Sequence, residues 1–176
     1  TCFARCGFHA ATIQQISRVA GMSPGHIYHF FENKEAIVNG IVQRILERWL
    51  NLMQPHTPGS DIDAVLAERV RFGLCERTNP DFVGLWLEVL AETARNPALA
   101  AAMQDNDQQM RDVVITQIRE LRAILGIETT TPVESIADLV LALFEGLSNR
   151  SVTCAEFDPE RLEPTLLKLT RAAFAL

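Results

Sequence analysis

The stretch TIQQISRVAGMSPGHIYHFFENKE, residues 12–35, decides the predicted fold. It opens with a Thr-Ile-Gln-Gln capping box at Thr12, a pattern that starts a helix by pairing first-turn amides with side chains. Gly21 ends this helix, because glycine readily adopts a left-handed turn conformation. Ser23 and Pro24 then start a second short helix, since Ser is a favoured N-cap and Pro suits the first helical position. Two short helices separated by a glycine turn predict a helix-turn-helix.

The second helix is predicted to enter a DNA major groove, led by its free N-terminal amides and positive dipole end. Its outward residues are Ser23, Pro24, Gly25, His26, Tyr28 and His29. Gly25 permits close backbone approach, and His26 can donate to or accept from a base edge. Tyr28 and His29 can reach phosphates, and Lys34 at the start of the next helix is expected to pair with another phosphate.

Two alternatives compete with this assignment. Tyr28, Phe30 and Phe31 could instead fill a core between helices, an interpretation that the sequence favours for Phe31. His26 and His29, three residues apart, could form half of a metal site. The sequence does not favour this second alternative, and we expect no metal.

Proline, glycine and capping residues divide the rest of the chain into further helices, about nine in all. No stretch alternates apolar and polar residues as a half-buried strand does, so the predicted fold is all-α. A long helix is expected from Asn33 to Met53, followed by a Pro/Gly-rich loop over residues 54–60. A second capping box is predicted at Thr131. The later helices are predicted over residues 62–77, 80–95, 97–125, 132–149 and 159–175.

Composition places the chain among ordinary globular proteins. It has 176 residues, of which 48% are hydrophobic and 22% charged, values that exclude intrinsic disorder. No apolar run approaches the roughly 18 residues of a membrane-spanning helix. No signal peptide opens the chain, so we expect a cytoplasmic protein.

Charge is distributed unevenly along the chain. The formal net charge is −6, yet residues 1–50 carry five Lys or Arg against three Asp or Glu, together with three histidines. A mildly basic head on an acidic body is compatible with polyanion binding by the head alone.

Nothing in the sequence indicates an enzyme. There is no Gly-rich phosphate loop, no Gly-x-Ser-x-Gly elbow and no His-Glu-x-x-His motif. Cys2, Cys6, Cys75 and Cys154 lack C-x-x-C spacing and are expected to be free thiols. We therefore expect neither a catalytic residue nor a cofactor.

The head of the chain resembles the DNA-binding domain of TetR-type transcriptional regulators. The resemblance is carried by Thr12-Ile-x-x-Ile16, Ala20-Gly21-Met22-Ser23-x-Gly25 and Ile27-Tyr-His-Phe-Phe-x-Asn-Lys-Glu35. It implies a DNA-binding domain over residues 1–48, with a truncated first helix, and a helical ligand-binding and dimerisation domain over residues 49–176. It further implies a homodimer on a palindromic DNA operator, most often a repressor, released by a small-molecule inducer.

The resemblance also assigns DNA-contacting positions. Those that the family uses for phosphate or base contacts are Thr12, Ser23, Gly25, His26, Tyr28, His29 and Lys34, and more variable contacts fall at Gln14 and Pro24. Phe30 departs from the pattern, because many members have a His or Tyr there that can bond a phosphate. We expect His29 to supply that contact instead.

In the larger domain, apolar and soft side chains are numerous enough to line a ligand cavity, although the same residues could fill a core. The candidates for the cavity are Phe72, Cys75, Phe82, Trp86, Leu90, Met103, Met110 and Phe144. The resemblance implies that the last two helices form the dimer interface. Its candidate residues are Val140, Leu143, Gly146, Leu147, Leu162, Leu166, Leu169 and Ala173.

Two other functions remain open from the sequence. The chain could be a helical adaptor whose C-terminal helices bind a protein while the head no longer reads DNA, an alternative that Phe30 and the negative charge favour slightly. It could also be a thiol sensor acting through Cys75 or Cys154. Salt dependence separates the first alternative from a regulator, since phosphate contacts weaken steeply with salt.

Overall fold

A computed structural model describes residues 2–53, 61–128 and 130–174. Within these ranges the chain forms nine α-helices and no strand, which confirms the all-α prediction. None of the described helices is both long and apolar enough to cross a membrane. The helices are α1 (Cys2–Cys6), α2 (Ile13–Ala20), α3 (Pro24–Phe30), α4 (Lys34–Leu52), α5 (Ile62–Thr78), α6 (Pro80–Thr93), α7 (Pro97–Leu125), α8 (Val133–Thr153) and α9 (Pro159–Phe174).

The local signals of residues 12–35 operate as predicted. Thr12 caps α2 in a complete capping box with Gln15, and Gly21 ends the helix in the left-handed conformation with φ 67°. Ser23 caps α3, and Pro24 takes its first position. The sequence therefore determines this helix-turn-helix through contacts within a few residues.

One predicted cap is wrong, and one predicted loop cannot be described. Pro132 is the N-cap of α8 and makes no side-chain cap hydrogen bond, so Thr131 lies one residue too early to cap the helix. The Pro/Gly-rich loop over residues 54–60 lies outside the described residues. The helix after it begins at Ile62, with the Asp61 carboxylate accepting from two amides of the first turn.

The contacts divide the chain into two compact units. Unit 1 comprises residues 2–48 and 80–107. Its core joins aromatic residues near α1 to aliphatic residues of later helices, with Phe3, Phe8, Val38, Leu85 and Leu99 among the buried members. The predicted boundary after residue 48 ends the first segment of this unit, but residues 80–107 also belong to it because α6 packs along α1.

Unit 2 comprises the described residues of 49–79 and 108–174. In it α5 packs against both α8 and α9. Its buried residues include Val70, Ile118, Leu121, Ala137 and Leu166. The long helices α4 and α7 each supply residues to both units.

Candidate nucleic-acid interface and interior cavity

Helix α3 is held by its inner side and presents its outer side to solvent. Ile27 is 4% exposed and belongs to the unit 1 core. At the N-terminus the Ser23 hydroxyl accepts from the His26 amide at 3.2 Å. Pro24, Gly25, His26, Tyr28 and His29 are all exposed. The predicted outward residues therefore share one accessible surface.

Phe30 gives this surface an unexpected apolar centre. It is 61% exposed, and its ring stacks on His26 with centroids 5.3 Å apart. His29 meets the same ring edge-on at 5.1 Å. The core interpretation is wrong for Phe30 and for Tyr28, which is 56% exposed. It is confirmed for Phe31, which packs against the unit 1 core.

The two predicted DNA contacts at the start of α2 differ in whether their side chains already make hydrogen bonds. The Thr12 hydroxyl is engaged with Gln15, whose amide donates to it at 3.2 Å. The Thr12 amide in turn donates to Gln15 Oε1 at 2.9 Å. Gln14 is exposed. Thr12 therefore has a structural task in addition to any DNA contact, while the Gln14 side chain faces solvent.

Lys34 reaches inward instead of outward. Its Nζ donates to the carbonyl oxygens of His9 and Ala11, each at 3.1 Å, and lies 4.7 Å from the centre of the Phe8 ring. An ammonium group has three donors, so these bonds leave one N–H for a phosphate. Lys34 thus fixes the turn before α2, a role that its position in the sequence did not indicate.

Two acidic side chains of α6 also contact this turn. Glu88 accepts from the Phe8 amide at 2.8 Å. Glu92, which is 7% exposed, lies 3.0 Å from His9 Nε2. No local pattern in the sequence indicates either contact, because the partners are about 80 residues apart.

Unit 2 contains a cavity of about 70 Å³. Most of its lining is apolar, but two arginines, a glutamine, a threonine and a tryptophan also reach it. The lining residues are Trp49, Met53, Leu66, Arg69, Val70, Arg77, Met110, Val114, Gln117, Val140, Leu141, Phe144, Thr170 and Phe174. Among the eight predicted cavity residues, Met110 and Phe144 are members of this set.

The other six predicted cavity residues lie elsewhere. Phe72 packs edge-on against Trp49 with centroids 5.2 Å apart, and Cys75 is exposed. The remaining four belong to unit 1, where they pack or face solvent. Phe82 stacks on Trp86, Leu90 is 43% exposed, and Met103 packs against the unit 1 core. Helical spacing identifies apolar residues but does not indicate which unit buries them.

The cavity arginines were missed by the sequence analysis. One sequence signal could have identified them. Positions four residues apart share one face of a helix, and Arg69, Gly73 and Arg77 follow this spacing on α5. The absence of a side chain at Gly73 lets the Phe144 ring pack against α5, since a Cβ there would clash with Phe144 and lie 3.0 Å from Trp49 Cη2.

Buried polar contacts orient the Arg69 end of the cavity. Arg69 is 9% exposed, and its Nη1 donates to Gln117 Oε1 at 2.5 Å. Gln117 Nε2 donates in turn to the Met53 carbonyl at 3.1 Å. Burial lowers the pKa of Arg69, an effect that Glu120 and Glu68 oppose.

Arg77 lies in a similar environment. Burial lowers its pKa, and Glu145 opposes the effect. The guanidinium lies 5.9 Å from the centre of the Trp49 ring. Trp49 itself is 8% exposed, and its Nε1 has no hydrogen-bond acceptor within the described part of the chain.

The predicted interface residues of α8 and α9 fall into two groups. Val140, Leu147 and Leu166 are buried inside unit 2, so they support the helices from within and are corrected to core residues. Leu162 and Ala173 are half-buried. Leu143, Gly146 and Leu169 are exposed.

Two further apolar side chains of α8 are also exposed. Leu139 is 70% exposed and Val152 is 61% exposed. Their exposure is not predictable from the sequence, because helical periodicity alone does not establish which side of α8 faces the core.

The described residues contain no cluster of three or more His, Cys, Asp or Glu that could hold a metal ion. None of the four cysteines forms a disulfide; Cys2 is buried, Cys154 is partly buried, and Cys6 and Cys75 are exposed. Neither of the thiols proposed for a sensor therefore has a disulfide partner in this structure.

Two family models match the chain. A model described as "Bacterial regulatory proteins, tetR family" matches residues 1–41. A model described as "BetI-type transcriptional repressor, C-terminal" matches residues 66–175. Together they cover most of both units.

Curated relatives and solved structures agree with these models. The HTH-type transcriptional regulator UidR of Escherichia coli K12 is 28% identical over 120 residues, which is 67% of this chain and 59% of UidR. The chain thus spans less than two thirds of UidR. An HTH-type transcriptional repressor of Mycobacterium tuberculosis is 29% identical over 174 residues, covering 94% of this chain and 83% of the relative.

Among solved structures, Salmonella enterica GusR superposes with a TM-score of 0.78 and 26% identity, covering 99% of this chain and 90% of GusR. A transcriptional regulator from Saccharomonospora viridis in complex with choline superposes with a TM-score of 0.72 and 21% identity, covering 95% of this chain and 88% of that structure. The second likeness shows a shared fold.

Proposed function

We propose, from the premise that this chain belongs to the tetR family of bacterial transcriptional regulators, that it represses transcription as a homodimer on a palindromic operator. Residues 1–48 bind DNA in this proposal, and residues 49–176 bind the ligand and form the dimer. A small molecule in the unit 2 cavity releases the operator.

The exposed face of α3 carries the proposal. It has a capped N-terminus, a core-anchored Ile27 and exposed polar groups at the positions that meet DNA in the family. Gly25 admits the phosphate backbone, since no neighbouring atom lies within 4 Å of the place that a Cβ would occupy. His26, Tyr28 and His29 supply base and phosphate contacts.

Other contacts surround this face. The amides of the N-cap Ser23 and of Gly25 lie at the positive end of the α3 dipole and favour a phosphate. Gln14 and Thr12 contact DNA from α2, and Lys34 gives its third N–H to a phosphate. Phe30 supplies an apolar contact, such as one to a thymine methyl group.

The homodimer is supported by the exposed apolar side chains of α8 and α9. Leu139, Leu143, Val152 and Leu169 are all more than one third exposed in the single chain. Leu139 and Leu143 are four residues apart and share one face of α8, and exposed apolar side chains on one face are typical of interaction surfaces. A Cβ added at Gly146 would have no neighbouring atom within 4 Å, so this position can admit a partner helix.

Release by a ligand is a population shift in this proposal. Helix α4 begins at Lys34, which fixes the turn before α2, and carries Trp49, which lines the cavity. A ligand that prefers one position of Trp49 would bias α4 and with it the spacing of the two recognition helices. Operator half-sites lie about 34–36 Å apart, so a shift of a few ångströms suffices.

Selection of binding sites from random DNA duplexes, at two salt concentrations, tests the proposal. We expect a palindrome of fixed half-site spacing whose binding weakens steeply with salt. Gly25→Trp, which fills the space at the start of α3, should select nothing. A folded, dimeric wild-type protein that enriches no sequence would contradict the proposal and favour the helical adaptor.

A further inference from the structure

We infer that the unit 2 cavity binds a small, mainly apolar organic acid, with its carboxylate held by Arg69 and Arg77. The inference deepens the proposed function, on which its regulatory consequence rests. Binding itself depends only on the cavity.

The apolar part of the ligand follows from the walls. Five aliphatic side chains line the space: Leu66, Val70, Val114, Val140 and Leu141. They offer no hydrogen bond to replace those that a polar ligand group makes with water, so burying such a group against them is unfavourable. The volume of about 70 Å³ is about half of the roughly 150 Å³ of an engineered cavity that binds benzene. The cavity as it stands therefore fits only a short acid, and a branched or aromatic acid requires Trp49 or Phe144 to move.

The negative charge of the proposed ligand is inferred from the two arginines of the cavity. Two guanidinium groups line the cavity, whereas no Asp or Glu is among the described residues that do so. The carboxylates that act on these arginines, Glu68, Glu120 and Glu145, lie outside the lining. A ligand carboxylate would therefore meet guanidinium groups and no carboxylate among the described lining residues, and guanidinium groups bind carboxylates with good geometry.

The position of each arginine is fixed by the protein. Arg69 is oriented by Gln117, which is itself held by the Met53 carbonyl. Arg77 is held beside the Trp49 ring. Polar groups that are already oriented lose little freedom when a ligand binds, which favours specific recognition over a diffuse charge effect.

The buried indole N–H of Trp49 also indicates a ligand with a hydrogen-bond acceptor. Its buried Nε1 has no acceptor among the residues that the structure describes, and Trp49 lines the cavity. Buried donors are normally bonded, so one without an acceptor needs an explanation. A carboxylate oxygen would accept this N–H, whereas an alkylammonium group offers no acceptor and would be repelled by the arginines.

A charge series on the wild-type protein tests the inference. The probes are sodium propionate, isobutyrate and benzoate, the three corresponding amides, and propylamine, isobutylamine and benzylamine. Calorimetry and thermal denaturation should show acids binding about ten- to a hundredfold more tightly than their amides, with no binding by the amines. Equal binding of acids and amides, binding of the amines, or no binding by any acid at millimolar concentration would overturn it.

Variants locate the site. Arg69→Gln and Arg77→Gln should each lower acid affinity about tenfold or more while amide affinity stays unchanged. Trp49→Phe keeps a ring and removes the N–H, so it should cause a smaller loss. Arg71→Gln is the matched control, because Arg71 is exposed on the same helix and pairs with Glu163 at 2.9 Å. Unchanged acid affinity in the folded Arg69 and Arg77 variants would overturn the assignment.

Operator release separates this inference from the proposed function. Release by an amine or amide but not by an acid would retain a ligand-responsive regulator and overturn the anionic ligand. Acids that bind without releasing the selected operator would retain the site and contradict its inducer role. Failure to select any operator contradicts the proposed function, while the charge series still decides the ligand class.

Discussion

At the scale of single residues, the turn before α2 depends on groups that are distant in sequence. Lys34 bonds two backbone carbonyls of this turn, and Glu88 accepts from the Phe8 amide. The sequence placed Lys34 correctly at the start of a helix, but it could not show which carbonyls the side chain meets. Backbone acceptors leave no pattern in a sequence, so this role became visible only in three dimensions.

Lys34→Met should lower the free energy of unfolding by about 1–2 kcal/mol, because two charge-assisted hydrogen bonds at a partly exposed site are lost. Urea denaturation measures the change. Lys168→Met is the matched control, since Lys168 is the other lysine in the sequence and is exposed on α9. If Lys34→Met weakens DNA binding and leaves stability at the control value, Lys34 acts only as a phosphate contact.

Gly73→Ala should also destabilise the protein, by about 1–3 kcal/mol, because overpacking a filled site strains its neighbours. A Cβ at Gly73 would meet the Phe144 ring and lie 3.0 Å from Trp49. The exposed helical Gly146, which has no such neighbour, provides the comparison: Gly146→Ala should be neutral or slightly stabilising in a monomeric background. Thermal denaturation of both variants measures the difference in stability. Equal changes in melting temperature would show that Gly73 is not tightly packed.

At the scale of helices, the sequence predicted well wherever the signal was local. The caps at Thr12 and Ser23 and the stop at Gly21 depend on neighbours within a few residues, and all three are confirmed. The predicted cap at Thr131 failed because Pro132 took the cap position. The outward face of α3 followed from its apolar anchor, whereas the mutual stacking of His26 and Phe30 did not.

Gly25→Ala separates the stability of α3 from its proposed contact with DNA. Gly25 has ordinary helical geometry and open space around it, so alanine should raise stability by about 0.5–1 kcal/mol. The added methyl group would stand where the phosphate backbone approaches, and operator affinity should fall.

Urea denaturation and DNA titration at one salt concentration measure the two effects of Gly25→Ala. Ser23→Ala is the contrasting variant, since loss of the N-cap should lower stability by about 0.5–2 kcal/mol. Unchanged operator affinity in Gly25→Ala would place the DNA away from the start of α3.

At the scale of the whole molecule, periodicity identified nearly every helix but not how the helices divide into units. Residues 80–107 follow residue 49 in the chain and yet belong to unit 1, because α6 packs along α1. For this reason four of the predicted cavity residues lie in unit 1. The cavity that unit 2 does contain is lined in part by Arg69 and Arg77, whose charged side chains do not fit an apolar lining pattern.

Charged substitutions on α8 and α9 test the proposed dimer interface. A Leu139→Glu, Leu169→Glu double variant places two carboxylates among exposed apolar side chains of α8 and α9, where they would be buried without partners on association. Sedimentation should show a folded monomer, and operator affinity should fall by about a hundredfold or more, since one subunit engages one half-site.

Ile124→Glu is the matched control for this variant. Ile124 is 59% exposed on α7, another helix that contributes to unit 2, so its substitution replaces an exposed apolar side chain with a carboxylate outside the proposed interface. It should leave both the sedimentation coefficient and the operator affinity unchanged. A double variant that stays dimeric would move the interface away from α8 and α9, and a monomer that keeps full operator affinity would mean that the two recognition helices do not act together.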